Sequence, residues 1–267
     1  MMSDRNFDNL AERFENRIHH GLKGAIRRTI IWRDLLDSIP ALKANNHLRV
    51  LDIGGGLGHF SIELAKLGHQ VTYNDLSINM MEKAKQGALK ENVIDQIEWS
   101  NHSYQKIITQ PDNKFDLILC HAVLEWLEKP EQLIPTLKKH LKASGALSLC
   151  YYNPAGFIYR NLICGNFNYL DNIVTSNNAE QSESLPSDQG SLTPQNPCSM
   201  EQVSDWLKQS SFSIKTTSGI RVFSDYVLQK RGGNRSEEES LKAELAYSTL
   251  EPYKRLGRYL HTIAISE

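Results

Sequence analysis

The stretch RVLDIGGGLGHF, residues 49–60, joins a short apolar run to a helical segment through four glycines. The residues HLRVLDIG have the composition of a buried strand and end in glycine, and the apolar periodicity that resumes at Phe60 predicts a helix. Glycine allows a positive φ and lets a ligand lie against bare backbone, and the amides that begin the next helix face the same place. The stretch therefore predicts a strand, a turn that binds a ligand, and a helix.

Strands and helices alternate along the chain on both sides of this turn. The further predicted strands are HQVTYND (69–75), QIEWSNH (96–102), KFDLILCHAVLEWL (114–127), ALSLCYYN (146–153), FSIKTTSGIRVFSDYV (212–227) and RYLHTIAIS (258–266). Helices are predicted at 6–37, 60–67, 78–92, 130–141, 199–210 and 236–250. Strands that alternate with helices in this way predict a doubly wound α/β fold around a mostly parallel sheet.

We expect the 267 residues to form a single domain. Residues 171–198 are rich in Ser, Asn, Gln, Asp and Pro and contain few apolar residues, which is typical of a loop. The predicted parts are N-terminal helices over 1–45, a cofactor-binding core over 46–153, a loop-rich insertion over 154–198, and a C-terminal part of the sheet over 199–267 that faces the substrate.

Composition and charge argue against several classes of protein. Apolar residues make up 40% of the chain, but no apolar run approaches the roughly 20 residues of a membrane span, and the polar N-terminus does not resemble a secretory signal. The net charge of −1 gives no overall attraction to nucleic acid, although a local basic patch would suffice. The four cysteines form no C-x-x-C pair, which predicts reduced thiols and no metal site. We therefore expect a cytoplasmic monomer without a bound metal.

A carboxylate stands at the end of the second predicted strand. Asp75 follows Gly54 by 21 residues, and at that place an aspartate can accept hydrogen bonds from both hydroxyls of a ribose. The dinucleotide-binding pattern G-x-G-x-x-G would need a third glycine where this chain has His59. The pattern is instead D-x-G-x-G-x-G, formed by Asp52, Gly54, Gly56 and Gly58.

This glycine pattern resembles the first motif of class I S-adenosylmethionine-dependent methyltransferases. The placement of Asp75, and of FDLILCHAVLEWL as the fourth strand, agrees with the same superfamily. The resemblance implies a seven-stranded, mostly parallel, Rossmann-like methyltransferase sheet with N-terminal helices and a C-terminal elaboration. It also implies S-adenosylmethionine as the cofactor, with Asp52 orienting the glycine loop and the methionine part.

A closer resemblance, over nearly the whole chain, is to the tRNA 5-carboxymethoxyuridine methyltransferases of gammaproteobacteria. The motifs that carry it are DRNFDNLAERFENRI (4–18), KGAIRR (23–28), CHAVLEW (120–126), YNPAGFIYRNLICGNFNYL (152–170), GIRVFSDY (219–226) and EPYKRLGRYLH (251–261). Members of this family esterify the carboxylate of a modified uridine at the tRNA wobble position. The resemblance therefore implies a tRNA anticodon stem-loop as the partner.

The resemblance also assigns site residues. Arg27 would lie near the cofactor carboxylate, Asp75 would hold the ribose, and Tyr104 would contact the adenine through its backbone. The residues expected to bind the cofactor are Arg27, Asp52, Gly54, Gly55, Gly56, Asp75, Tyr104 and His121.

The acceptor chemistry needs no general base, because a carboxyl with a pKa near 4 is ionised at neutral pH. Catalysis would then consist of positioning, with an arginine holding one carboxylate oxygen and leaving the other to attack. Arg221 and Arg258 are the candidates, together with Tyr259 as a residue that positions the base. Tyr226 and His261 lie in the same motifs.

Other interpretations remain open at this point. His121 would also suit a core position at a strand end, and Arg221 and Arg258 would also suit solvated surface positions. The alternative functions are a methyltransferase acting on a small carboxylate or phenol, a nicotinamide-dependent oxidoreductase, and a non-catalytic nucleotide-binding regulator. Carboxy-S-adenosylmethionine is an alternative cofactor, and a cation placed at the transferable methyl would indicate it.

Overall fold

The computed structural model describes residues 21–43, 46–107, 113–167, 194, 196–227 and 236–267. Its helices are α1 (Gly21–Ser38), α2 (His59–Lys66), α3 (Ile78–Lys90), α4 (Leu133–Lys138), α5 (Pro154–Ile163), α6 (Met200–Gln209) and α7 (Glu237–Tyr247). Its strands are β1 (Arg49–Ile53), β2 (Gln70–Asn74), β3 (Ile97–Ser100), β4 (Phe115–His121), β5 (Leu141–Tyr152), β6 (Phe212–Ile220) and β7 (Tyr259–Ser266). The predictions for residues 6–20 and for the loop over 171–193 lie outside the described residues.

Within those residues, seven strands form one sheet in the order β3-β2-β1-β4-β5-β7-β6. Strands β1 to β5 run parallel to one another, whereas β7 lies antiparallel to both β5 and β6. The predicted seven-stranded, mostly parallel α/β sheet is confirmed. Because the carboxyl ends of parallel strands share one edge, β1, β2 and β4 all end on the side where a ligand binds in such folds.

Both faces of the sheet are covered by helices. Helices α1, α2 and α3 pack on one face, and α4 and α6 pack on the other. Alternate residues of β4 supply the two cores, since Leu117 and Leu119 face the first while Ile118 and Cys120 face the second. This two-sided burial explains why the sequence of β4 is almost continuously apolar.

The prediction extended β4 too far. The strand ends at His121, because Ala122 adopts a φ of 61° that no strand residue has, and a short 3-10 turn follows at Leu124–Trp126. The apolar residues after Ala122 are buried by this turn and not by strand pairing. The predicted sixth strand is also too long. It ends at Ile220, where Arg221 takes a φ of 59°.

The boundary between α4 and β5 also differs from the prediction. The helix expected over 130–141 consists of a 3-10 turn, Pro130–Gln132, followed by α4, which ends at Lys138. Strand β5 then begins at Leu141, which pairs with Phe115 ahead of a register shift. The sequence between Leu141 and Gly145 has no strand signal of its own, and pairing with β4 imposes the extended backbone.

Three backbones meet tightly beside the carboxyl end of β5. A Cβ on Gly156 would lie 2.5 Å from the carbonyl oxygen of Gly257, and a Cβ on Gly219 would collide with the carbonyl oxygen of Lys254. Glycine at these positions lets α5, the end of β6 and the segment before β7 approach each other. The junction holds the segments that carry Arg221 and Arg258.

Gly219→Ala should therefore destabilise the protein by about 2 kcal/mol, because the methyl group would meet rigid backbone. Gly87→Ala is the matched control, since its Cβ would meet only the flexible end of Ile62, 3.1 Å away, and alanine favours the helix. We expect this control to stay within about 1 kcal/mol of the native protein. Denaturant unfolding measures both variants, and equal stabilities would contradict the steric argument.

Candidate active site

A cavity lies at the carboxyl ends of β1, β2 and β4. Its lining includes all eight residues that the sequence assigned to the cofactor, namely Arg27, Asp52, Gly54, Gly55, Gly56, Asp75, Tyr104 and His121. Strand β1 supplies Asp52 directly, and the glycine turn follows that strand. The structure thus brings the predicted residues together at one place. Their role as cofactor ligands remains a prediction.

The glycine turn has two reasons for its composition. Gly54, Gly56 and Gly58 have φ values of 65°, 55° and 74°, which glycine adopts most readily. A Cβ on Gly54 would also collide with Val123, and a Cβ on Gly55 would lie 2.5 Å from the ring of Tyr73. The sequence pattern predicted the positive φ values and a ligand against the backbone. Packing against the protein's own side chains is a further reason at three of the glycines, because a Cβ on Gly58 would lie 2.9 Å from that of Ala84.

Gly56 is different. The nearest atom to a Cβ built on this residue is the carbonyl oxygen of Gly54, at 4.0 Å, so the space beside Gly56 is open. The backbone amide of Gly56 donates a 2.8 Å hydrogen bond to Oδ2 of Asp75, and the amide of Ser77 donates one of 2.8 Å to Oδ1. These two amides fix the orientation of the Asp75 carboxylate. Each carboxylate oxygen can accept more than one hydrogen bond, so the same carboxylate can also receive ligand hydroxyls.

Asp52 lies in an unusual environment for an acid. Its side chain is buried and Oδ2 accepts a 2.6 Å hydrogen bond from the hydroxyl of Ser61. Burial raises the pKa of Asp52 to about 7, and the hydrogen bond from Ser61 only partly opposes this shift. A cation bound in the cavity would favour the ionised form of Asp52. The residue therefore suits a positively charged ligand.

His121 ends β4 at the wall of the cavity. Its Nε2 lies 2.9 Å from Oγ of Ser148, and the edge of its ring packs near Phe60. Burial, together with the neighbouring His261 and Arg27, holds the pKa of His121 well below its ordinary value, so the ring is neutral. Nδ1 is buried and, among the described residues, has no hydrogen-bond partner. The core interpretation of His121 is thus incomplete, because one nitrogen is left unsatisfied.

Arg27 lines the cavity and lies among the same aromatic rings as two further arginines, and we call Arg27, Arg221 and Arg258 the arginine cluster. The guanidinium carbons of Arg27 and Arg221 lie 5.2 and 5.6 Å from the centre of the Tyr259 ring. That of Arg258 lies 5.1 Å from the ring of Tyr152. The side chains of Arg221 and Arg258 are only 15% and 17% exposed, so the interpretation of both as solvated surface charges is wrong.

The arginine cluster has an excess of positive charge. Asp225, 6% exposed, lies 3.0 Å from Nη2 of Arg221 and 4.0 Å from Nε of Arg258. Glu125 is the other acid near Arg27, but burial raises its pKa to about 7. In the part of the chain that the structure describes, Nε of Arg221 and Nη1 of Arg258 are buried without a hydrogen-bond partner. The cluster can therefore accept a further anion.

Tyr226 and His261, which lie in the same motifs as the candidate substrate residues, have structural contacts instead. The Tyr226 hydroxyl donates to the carbonyl oxygens of Gly156 and Leu256, so this residue stabilises the close packing of α5 against the segment before β7. His261 is fully buried against Asp34 on α1, away from solvent. Asp225 and Glu125 were missed, although both lie within motifs that the sequence analysis had quoted.

Comparison with known proteins identifies the family. Residues 51–149 match the family described as a methyltransferase domain. The tRNA 5-carboxymethoxyuridine methyltransferase of Escherichia coli is 38% identical over 263 residues, which cover 98% of this chain and 97% of that protein. This chain belongs to the tRNA 5-carboxymethoxyuridine methyltransferase family. The ubiquinone biosynthesis O-methyltransferase of Xanthomonas campestris is 33% identical over 124 residues, 46% of this chain and 51% of the relative.

Solved structures confirm the fold of this methyltransferase. Magnesium protoporphyrin IX methyltransferase from Synechocystis superposes with a TM-score of 0.62 at 15% identity, covering 98% of this chain and 96% of that one. An S-adenosylmethionine dependent methyltransferase from Mesorhizobium loti gives a TM-score of 0.57 at 18% identity, covering 92% and 100%. The membership of a methyltransferase family decides against the nicotinamide-dependent oxidoreductase and the non-catalytic regulator.

The described residues of this family member contain no group of three or more His, Cys, Asp or Glu side chains that could hold a metal ion. None of the helices described there is long and apolar enough to span a bilayer. Cys120, Cys150 and Cys198 are buried and Cys164 is exposed, all as free thiols.

Glu125→Gln should change how stability depends on pH. The folded-state pKa of about 7 exceeds the ordinary 4.5, so the folded protein keeps a proton that the unfolded chain releases between these values. The free energy of unfolding of the native protein therefore falls as pH rises through this range, by up to about 3 kcal/mol from this group.

Glutamine does not titrate, so Glu125→Gln lacks this fall in the free energy of unfolding. The stability of the variant relative to the native protein should therefore rise from pH 4.5 to pH 7. Denaturant titrations at a series of pH values measure the difference. Glu131→Gln, at an exposed position nearby, is the matched control for removal of a carboxylate. A difference between Glu125→Gln and the native protein that stays constant with pH would contradict the assignment.

Proposed function

We propose that this enzyme transfers a methyl group from S-adenosylmethionine to the carboxylate of 5-carboxymethoxyuridine at the tRNA wobble position, forming a methyl ester. The observation that carries the proposal is the buried excess of positive charge in the arginine cluster, one member of which, Arg27, lines the cavity. A buried cationic site calls for an anion, and the name of the Escherichia coli relative supplies the carboxylate-bearing uridine. A tRNA substrate would place the enzyme in the cytoplasm.

The cavity fits the proposed cofactor. The open space beside Gly56 leaves room for a ligand against the backbone, and the two amides on Asp75 hold its carboxylate ready for the hydroxyls of a ribose. Asp52 suits the ammonium group of the methionine part, because a neighbouring cation would stabilise its ionised form. Arg27, which lines the cavity, suits the carboxylate of the same part.

When bound, S-adenosylmethionine supplies an activated methyl group on a sulfonium centre. The acceptor carboxylate is ionised at neutral pH, so an oxygen–carbon bond forms as the carbon–sulfur bond breaks and no proton moves. Arg221 and Arg258 would hold one acceptor oxygen and leave the other directed at the methyl group. Tyr259 would position the base. The low exposure of these arginines excludes water, which strengthens the interaction with an anionic substrate.

Mass spectrometry of nucleosides tests the function. The enzyme is incubated with S-adenosylmethionine and bulk tRNA from cells that lack the corresponding methyltransferase, and the tRNA is then digested. A gain of one methyl group on 5-carboxymethoxyuridine alone is the expected result. Unchanged tRNA, with the cofactor still bound, would overturn the proposal and favour a small carboxylate as the acceptor.

Arg258→Ala should lower turnover on tRNA by roughly 10- to 100-fold, because a charge-assisted hydrogen bond to the acceptor is lost. Cofactor affinity should not change. Arg255→Ala is the matched control, since Arg255 is 50% exposed and pairs with Glu201. Isothermal titration gives the affinity and the nucleoside assay gives the rate. Native turnover in Arg258→Ala would place the carboxylate ligand elsewhere.

Asp75→Ala should weaken binding of S-adenosylmethionine by about 100-fold, because two hydrogen bonds to the ribose and the support of the glycine turn are lost together. Asp95→Ala removes a carboxylate from an exposed turn and controls for the change in net charge. Calorimetry measures both variants. Native affinity in Asp75→Ala would refute the ribose assignment.

Carboxy-S-adenosylmethionine, the alternative cofactor, would carry an extra carboxylate on the transferable carbon. Because the arginine cluster is assigned to the carboxylate of the acceptor, we infer S-adenosylmethionine as the cofactor. Mass spectrometry of the small molecule released from freshly purified enzyme distinguishes the two cofactors, because the carboxylated form is heavier by one CO2 unit.

A further inference from the structure

A buried acid on α7 holds the turn that follows β6. Glu244 is fully buried, and it is the one buried residue of that helix. Its Oε2 accepts a 2.8 Å hydrogen bond from the backbone amide of Val222. Its Oε1 accepts from the amides of Phe223 and Ser224, at 3.3 and 2.9 Å. Three consecutive amides therefore converge on a single carboxyl group.

This carboxyl group has no part in the cavity itself. Glu244 does not line the cavity, so it is not placed to contact the cofactor. Removing a carboxyl group from water costs free energy unless donors satisfy its oxygens, and here one turn supplies three of them. Successive amides directed at one point form a concave site for an anionic group. In this protein a side chain from another element fills that site.

The turn begins with a backbone conformation that needs support. Arg221 directly precedes the three amides and has a φ of 59°, in a region that residues other than glycine rarely adopt. Such a conformation persists only where surrounding contacts impose it. The hydrogen bonds to Glu244 start at the very next residue, Val222. We therefore attribute the left-handed conformation of Arg221 to the hold of Glu244 on the turn.

The same turn carries both an arginine and the acid of the arginine cluster. Arg221 stands before the three amides and Asp225 directly after them. Nη2 of Arg221 lies 3.0 Å from Oδ2 of Asp225, and the same carboxylate lies 4.0 Å from Nε of Arg258. The guanidinium carbon of Arg221 lies 5.6 Å from the centre of the Tyr259 ring. A change in the backbone of this turn would displace the arginine and its partner acid together.

We propose that Glu244 is a positioning residue for the acceptor. By holding the amides of residues 222–224, it imposes the turn in which Arg221 and Asp225 complete the arginine cluster. It thereby determines the selectivity of the enzyme for a uridine that bears a carboxylate. This inference rests on the proposed function, and it assigns a role in that function to a residue remote from the cavity.

Glu244→Gln is the main variant, because it keeps the size of the side chain and replaces one accepting oxygen by an NH2 group. That group would meet at least one backbone N–H, donor against donor, so the turn cannot keep all three hydrogen bonds. Hydrogen exchange of backbone amides, followed by NMR, reports on the turn in protein without cofactor or RNA.

The amides of Val222 and Ser224 lie beyond the last residue of β6, yet they should exchange slowly in the native protein. In Glu244→Gln their exchange should accelerate by roughly tenfold or more relative to that of Ile263 in the middle of β7. Glu238→Gln, at an exposed position on the same helix, is the matched control and should leave these rates unchanged. Native relative rates in Glu244→Gln would overturn the inference.

Selectivity is the readout that a purely structural role would not change. Dissociation constants are measured for two synthetic anticodon stem-loops that carry 5-carboxymethoxyuridine or uridine at the wobble position. Glu244→Gln should reduce the preference for the carboxylate by roughly tenfold, because Arg221 no longer faces it. Affinities for the uridine stem-loop and for S-adenosylmethionine should not change. A general loss of structure would instead lower all three affinities together.

The two measurements separate failure of this inference from failure of the proposed function. A native enzyme without any preference for the carboxylate would overturn the proposed function, and the selectivity role of Glu244 with it. A native preference that Glu244→Gln retains in full would overturn the inference alone.

Two further measurements apply if Glu244→Gln does not fold. Fast exchange of the Val222 and Ser224 amides in the native protein would contradict the hold of Glu244 on the turn, and this measurement needs no variant. Glu244→Asp keeps the carboxyl group but shortens the side chain, so it cannot reach all three amides. A folded Glu244→Asp protein should show faster exchange in the turn and a weaker preference for the carboxylate. Native values of both would refute the positioning role.

Discussion

The antiparallel pairing of β7 with β5 and β6 is the constraint on which the acceptor half of the site depends. In this register Tyr152 pairs with Tyr259, and Cys150 pairs with His261. On the other side Ile220 pairs with Tyr259, which brings the following Arg221 to the same ring. A slip of one residue would turn every side chain of β7 to the opposite face. The pairing thus joins the C-terminal segments to a cavity built by the first four strands.

The two halves of the site carry opposite charges. Two acids, Asp52 and Asp75, line the cavity at β1 and β2, whereas arginines gather where β5 and β6 end and β7 begins. This division matches a reaction between a cationic donor and an anionic acceptor. In the proposed reaction each half would attract one reactant, and neither half would have to supply a base. Arg27 belongs to both the cavity and the arginine cluster, since it lines the cavity and lies over the ring of Tyr259.

The sequence was sufficient for features that depend on neighbouring residues. The glycine turn after β1 and the mostly parallel α/β sheet followed from local patterns together with the rules of parallel sheets. The end of β4 did not, because the positive φ of Ala122 is set by packing and is not encoded in an alanine. The partners Asp34 and His261 are separated by 227 residues, so no local pattern relates them. The same holds for the collision that requires Gly54, which involves the distant Val123.

In the proposed reaction, Asp225 would set the strength with which the arginine cluster holds the acceptor carboxylate. With no internal acid, three arginines this close together would repel each other at a large cost in stability, because little water screens them. If acids neutralised all three arginines, no net positive charge would remain to offset the cost of desolvating a bound carboxylate. A single acid lies between these extremes, since it pairs with Arg221 and approaches Arg258 but, within the described residues, leaves buried N–H groups of both without partners. A carboxylate held this way keeps electron density on its second oxygen, which is the oxygen that has to attack.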